Sequence, residues 1–140
     1  MASLIDTSLW IDFTRARSPQ ALKEFIAPYI LRPDTCLAGP VTFEVLRHAT
    51  PKESEQLTRQ FQTFPVLPTP PDLWAAAAVL GQTCRNHGLT ISSLDLLIAA
   101  VAVHHQASVV TFDEDFQKIA SVSDLRVELL RRPRFQRGSL

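Results

Sequence analysis

The sequence predicts an α/β fold built on a mainly parallel sheet, and three observations carry that prediction. Short apolar runs at residues 3–5, 35–38 and 107–112 alternate with longer stretches of helical periodicity. One of those stretches, residues 94–103, is apolar on nearly every face, so it belongs inside a fold, yet it is too short to cross a bilayer. No internal repeat or low-complexity segment interrupts the alternation.

Taken in order, Ser3-Leu4-Ile5 reads as a short buried strand, followed after Asp6-Thr7-Ser8 by a helix through residues 9–13. Ser18 and Pro19 open the next helix as its cap and first position, with Leu22, Phe25, Ile26, Tyr29 and Ile30 on one stripe. Arg32-Pro33-Asp34 is a turn, and residues 35–38 form a second strand. Gly39-Pro40 starts a helix that places Glu44 in its first turn. Residues 51–64 read as a polar, partly exposed helix, and Pro65-Val66-Leu67-Pro68 as a brief strand at an edge, confined there by its prolines. A helix from Leu73 carries Ala76, Ala77, Leu80 and Cys84 on one face and stops near Asn86-His87-Gly88. The apolar helix follows Ser92-Ser93 and carries Asp95 in its first turn. The strongest strand, residues 107–112, leads into a short helix from Asp113, and residues 125–130 close the sheet. The expected sheet has about five short strands.

At 140 residues the chain is long enough for one domain burying roughly two-thirds of its unfolded surface. We assign residues 1–130 to that domain and 131–140 to a basic tail, because Arg126, Arg131, Arg132, Arg134 and Arg137 face a single Glu128 in this region. Such a tail can contact phosphates. The remaining charge cancels, with 14 basic and 14 acidic residues, so net charge selects no partner. Cys36 and Cys84 match no metal or redox spacing and are expected to be buried free thiols in a reducing cytoplasm. No secretory pattern opens the chain. Trp10 and Trp74 both sit on helices and read as core or interface anchors, and His48, His87, His104 and His105 as helix-end residues.

The acids carry the functional signal. Asp6 ends the first strand, Glu44 and Asp95 sit in early helix turns, and Asp113 follows the strongest strand with Asp115 two residues on. In open α/β sheets, ligands bind outside the carboxyl ends of the strands, the edge where these side chains are expected to converge. Each acid singly has an ordinary explanation: Ser92-x-x-Asp95 is a capping pattern, and Asp6 and Asp113 can cap the helices after them. Together, four or five carboxylates on one edge repel unless a hard cation with oxygen ligands neutralises them.

The same residues resemble a known family. Leu4-Ile5-Asp6-Thr7-Ser8-Leu9-Trp10-Ile11-Asp12 looks like the opening of PIN-domain nucleases, in particular VapC toxins of toxin–antitoxin pairs. Glu44 in Val41-Thr42-Phe43-Glu44-Val45-Leu46 and Asp95 in Leu94-Asp95-Leu96-Leu97-Ile98-Ala99-Ala100 match the second and third acids of that family. Val110-Thr111-Phe112-Asp113-Glu114-Asp115-Phe116 matches its closing segment. The resemblance covers residues 3–130, and the order and spacing of the segments are jointly specific. Asp113 and Asp115 compete for the fourth acid; we favour Asp113 with Asp115 supporting.

The resemblance implies a PIN-like three-layer sandwich and a Mg²⁺- or Mn²⁺-dependent endoribonuclease. Asp6, Glu44, Asp95 and Asp113 would hold the metal, with Thr7, Ser8 and Thr111 positioning water or phosphate. Arg15, Arg17 and Arg47 flank the site and are candidate RNA contacts. A VapB-like antitoxin, an RNA substrate and a homodimer are the implied partners, with the helix over residues 22–30 and the surface around Trp74 as interface candidates. The competing reading is a catalytically inactive PIN scaffold acting as a protein- or RNA-binding module. An aspartate-based phosphatase is disfavoured because Ser8, not Asp, stands two residues after Asp6. A receiver domain is disfavoured because an early acid pair and a lysine near the last strand are both missing.

Overall fold

The computed structural model describes residues 1–134; residues 135–140 of the basic tail, Arg137 among them, lie outside the described residues. In chain order the elements are β1 (Ser3–Ile5), α1 (Thr7–Thr14), α2 (Gln20–Ile30), β2 (Thr35–Cys36), α3 (Gly39–Arg47), α4 (Pro51–Phe61), α5 (Leu73–Asn86), α6 (Ser93–His105), β3 (Ser108–Thr111), α7 (Glu114–Ala120) and β4 (Arg126–Leu129). The four strands pair in the order β2-β1-β3-β4, all parallel, with Leu4 opposite both Cys36 and Val109. The chain therefore leaves β1 toward β2 on one side and returns to β3 on the other. That reversal opens a crevice beyond the carboxyl ends of β1 and β3.

The sheet is one strand shorter than the sequence suggests. Residues 65–68 contribute only a single parallel bridge, Leu37 to Val66. The Leu37 N–H donates to Pro65 O and the Leu67 N–H to Leu37 O, both at 2.8 Å. Pro65 and Pro68 have no N–H to extend that ladder, so it ends after one rung.

Helix boundaries follow local chemistry. Helix α2 begins at Gln20, one residue later than the sequence suggests, so Pro19 rather than Ser18 occupies the cap position, without a side-chain capping bond. Thr50 builds a full capping box on α4: its Oγ1 accepts from the Glu53 N–H at 3.2 Å, and Glu53 Oε1 accepts from the Thr50 N–H at 2.9 Å. Thr50→Ala is expected to cost about 1 kcal/mol, read from urea unfolding. The polar stretch ends as a helix at Phe61 rather than Phe64. The turn that follows brings Phe64 back onto Trp10, whose ring meets Phe61 and Phe64 edge-on, each at 5.3 Å. Gly88, at φ +75°, turns the chain out of α5 where the sequence places a stop.

The core lies around β1, β3 and the middle of α6. Leu4, Ile5, Val109 and Val110 have no exposed surface, as expected for parallel strands covered on both faces. In α6, Ile98 through Ala102 are all buried, whereas Leu94, Leu96 and Leu97 are only half-buried. The helix thus runs into the core from an open first turn. Both cysteines are buried and free, and burial pushes the Cys36 thiol up to about 11. Of the two tryptophans, Trp10 is fully buried while Trp74 stands exposed on α5. None of the helices among the described residues is long and apolar enough to cross a membrane.

Candidate functional site

Because all strands run the same way, Asp6 and Asp113 emerge together at the carboxyl edge, each one or two residues after its strand. The ladder itself locks them side by side: the Asp6 N–H donates to Val110 O at 2.9 Å. Although Asp6 occupies the cap position of α1, its side chain makes no capping bond. Its Oδ2 instead accepts from Thr111 Oγ1 at 2.8 Å and Ser8 Oγ at 3.0 Å. Thr111 Oγ1 also accepts from the Asp113 N–H at 2.8 Å. This one buried hydroxyl therefore couples the Asp6 carboxylate to the Asp113 backbone.

Asp95 enters from the mouth of α6. It is the third residue of that helix, and its N–H bonds to the Ser92 Oγ cap at 3.2 Å. The cap uses the Asp95 backbone, which leaves its carboxylate to face the edge. Oxygens of Asp95, Asp113 and Asp115 all lie within 4.8 Å of one another. Asp113 Oδ1 accepts the Asp115 N–H at 2.9 Å and so also caps α7. Lys118 Nζ lies 3.3 Å from Asp115 Oδ1. Asp113 and Asp115 therefore both stand beside Asp95.

Glu44 sits deeper in its helix than the sequence suggests. The helix starts at Gly39 as the sequence indicates, and counted from there Glu44 is its sixth residue, in the second turn rather than the first. Half-buried there, it still contributes its charge to the cluster, raising the pKa values of both Asp6 and Asp95.

The electrostatics are those of crowded, desolvated acids. Burial is the main cause that holds Asp6 above the usual carboxylate range. Hydrogen bonds from Thr111, Ser8 and the Thr7 backbone oppose it, and Glu44 adds to it. Asp95 is pushed up to about 6, first by burial and then by the charges of Asp6, Asp113 and Glu44, against a lowering contact with Ser92. A carboxyl that holds its proton more tightly folded than unfolded favours the native state at low pH. This contribution is complete below pH 3.8 and lost as pH rises through about 6. Without cations, the stability of the wild type relative to Asp95→Asn should fall between those limits. Thermal unfolding in EDTA at successive pH values reads this out.

Not every candidate joins the cluster. Thr7 is buried with its Oγ1 unpartnered, while Ser8 and Thr111 spend their hydroxyl protons on Asp6. Arg15 and Arg17 are exposed past the far end of α1, and Arg47 is exposed one turn beyond Glu44. His105 Nε2 is 2.7 Å from Pro68 O, an anchoring contact away from the acids. An apolar cavity of about 370 Å³ lies between α5 and α6, lined by Leu73, Ala76, Leu80 and Val103. It contains none of the five acids.

One arrangement had no signal in the sequence. Arg132 folds back over the Phe112 ring, 4.9 Å from its centroid, and its Nη2 lies 3.0 Å from Oδ2 of the buried Asp12. That ion pair is close but not collinear, so Asp12 Oδ2 gains no well-directed hydrogen bond.

Comparison with known proteins agrees with this architecture. The PIN domain family matches residues 3–122. The ribonuclease VapC11 of Mycobacterium tuberculosis is 31% identical over 134 residues, covering 91% of this chain and 98% of that protein. Among solved structures, VapBC2 from Rickettsia felis bound to a promoter DNA fragment superposes with a TM-score of 0.73 at 16% identity, covering 93% of this chain and 99% of that one. VapBC-5 from Mycobacterium tuberculosis, a member of the VapBC family of toxin–antitoxin systems, superposes with a TM-score of 0.58 at 25% identity, covering 93% and 98%.

Proposed function

Because the chain belongs to the PIN-domain family and is a relative of the VapC ribonucleases, we propose that it is a divalent-metal-dependent endoribonuclease toxin restrained by a VapB-like antitoxin. The observation that carries the reading is the convergence of Asp95, Asp113 and Asp115 within 4.8 Å, with the buried Asp6 tied to the Asp113 backbone through Thr111. The donors are all carboxylate oxygens, which suits Mg²⁺ or Mn²⁺ rather than a thiolate- or imidazole-seeking metal. Asp6, Glu44, Asp95 and Asp113 would hold it, with Asp115 supporting.

A bound cation of this kind polarises a phosphodiester oxygen and lowers the pKa of its water. The chain's own contribution is orientation. Thr111 and Ser8 fix the Asp6 carboxylate, and the Asp113 bond to the Asp115 amide fixes the start of α7. Asp95, pushed up to about 6, is already mostly ionised at neutral pH, and its charge is available to a cation there. The reaction class is hydrolysis: a water oxygen bonds to phosphorus, and the 3′-oxygen leaves with a proton.

An antitoxin arginine placed among these acids would neutralise them by charge-assisted hydrogen bonds. The relatives of known structure include VapBC complexes, which supports such a partner. A homodimer working in the cytoplasm completes the reading. The test is digestion of total bacterial RNA by the purified protein in Mg²⁺, Mn²⁺ or EDTA, beside Asp6→Asn. Cation-dependent cleavage lost in the variant is expected. Cleavage indifferent to both EDTA and the substitution would overturn the metal reading. Antitoxin binding without cleavage under any cation would favour the inactive scaffold.

A further inference from the structure

We propose that residues 130–134 form a strap that binds the RNA backbone beside the carboxylates, with Arg132 as its anchor and Arg131 and Arg134 as phosphate contacts. The inference rests on the ribonuclease reading above and names how that site holds its substrate.

The placement follows from strand direction. β4 runs parallel to β3, so the chain leaves the sheet at the same edge as Asp6 and Asp113. The Leu130 N–H donates to Thr111 O at 2.8 Å, and Thr111 is the residue whose hydroxyl joins Asp6 to the Asp113 backbone. An extended chain advances about 3.3 Å per residue, so Arg131 and Arg134 follow within roughly 3 to 13 Å of chain.

The strap is fixed before any ligand arrives. Leu130 is buried, and Arg132 is held by the face of Phe112 and by Asp12 on α1. A planar guanidinium serves both contacts at once, which an ammonium does not. Arg131 and Arg134, on either side of that anchor, are exposed. With the backbone held at Leu130 and Arg132, less backbone freedom is lost when phosphate binds.

The need is electrostatic. Five carboxylates repel the phosphates flanking the scissile one, and a cation held among the acids neutralises only its immediate neighbourhood. Arginines at the rim supply the remaining attraction. Arg15 and Arg17 lie at the opposite end of α1 from Asp6, which favours the strap over them.

The experiment measures binding apart from cleavage. A fluorescein-labelled single-stranded RNA of mixed sequence is titrated in Mg²⁺ with full-length Asp95→Asn protein, alone and combined with Arg131→Gln/Arg134→Gln. The combined variant is expected to bind about tenfold or more weakly, and its plot of log K against log salt should be shallower by about 1.4, roughly 0.7 per lost contact. Asp12→Asn in the same background separates a strap from bulk charge. Removing a negative charge alone would tighten RNA binding, whereas releasing the anchor loosens it. Both strap arginines are exposed, so their variant tests the proposal even where Asp12→Asn unfolds.

Unchanged affinity and slope in the Arg131→Gln/Arg134→Gln protein overturn the strap. So does a loss confined to antitoxin binding, which would make the segment a protein-docking surface. If the wild type cleaves RNA while the strap variant binds normally, only this inference falls. If the wild type neither cleaves nor binds RNA, the ribonuclease reading falls with it.

Discussion

Asp95→Asn is expected to lower cation-dependent RNA cleavage by on the order of 10²–10³-fold, the scale of losing one preorganised electrostatic partner, while raising the melting temperature of the cation-free protein. The two effects have opposite signs for one reason. Asp95 is held up to about 6 by burial and by Asp6, Asp113 and Glu44, so its ionised form is unfavourable in the folded protein until a cation compensates. Asparagine keeps the size and removes the charge. The helix cap survives because Ser92 Oγ accepts the Asp95 backbone N–H, which the substitution leaves in place. Single-turnover cleavage and thermal unfolding in EDTA, on the same preparations, read both quantities. A variant that lost activity and stability together would instead place Asp95 among the groups that hold the fold.

Trp10→Ala is expected to cost about 3–5 kcal/mol, a large share of the roughly 5–15 kcal/mol that keeps a domain of this size folded. The indole is fully buried and stands between the edges of Phe61 and Phe64, so truncation opens a cavity where α1 meets the end of α4. Its only polar atom, Nε1, has no hydrogen-bond partner among the described residues, so truncation breaks no hydrogen bond and the cost is one of packing. Trp74→Ala, at 75% exposed, is expected to lie within about 0.5 kcal/mol of wild type. Urea unfolding of the two variants side by side reads the contrast, and similar losses would contradict the packing described.

Those two tryptophans show where sequence patterning stops. Both lie on helices with apolar neighbours, and periodicity gives each the same status. Which of them is enclosed depends on a turn after α4 that carries Phe64 back, and that turn is set by contacts between distant residues. The acids divide in the same way. Strand ends and helix starts placed Asp6, Asp95 and Asp113 on one edge, because a parallel sheet puts every β-to-α junction there. Glu44 falls in the second turn of α3 rather than the first, although the helix start at Gly39 is legible in the sequence, because it is the sixth residue counted from that start. The expected strand at residues 65–68 reduced to one bridge for a reason already written in its prolines.

The alternation of strands and helices, the buried character of α6, its Ser92 cap, the stop at Gly88 and the candidacy of each acid are all legible in local pattern. These depend on neighbours within a turn or two of chain, where periodicity, proline and glycine act directly. Three contacts emerge from the packed fold instead: Thr111 holds Asp6, Asp113 and Asp115 both stand beside Asp95, and Arg132 reaches Asp12 across Phe112. Each of these joins residues brought together by strand order, and strand order is fixed by burial of the whole core. A hydroxyl or a guanidinium carries no local mark of the partner it will meet across the sheet.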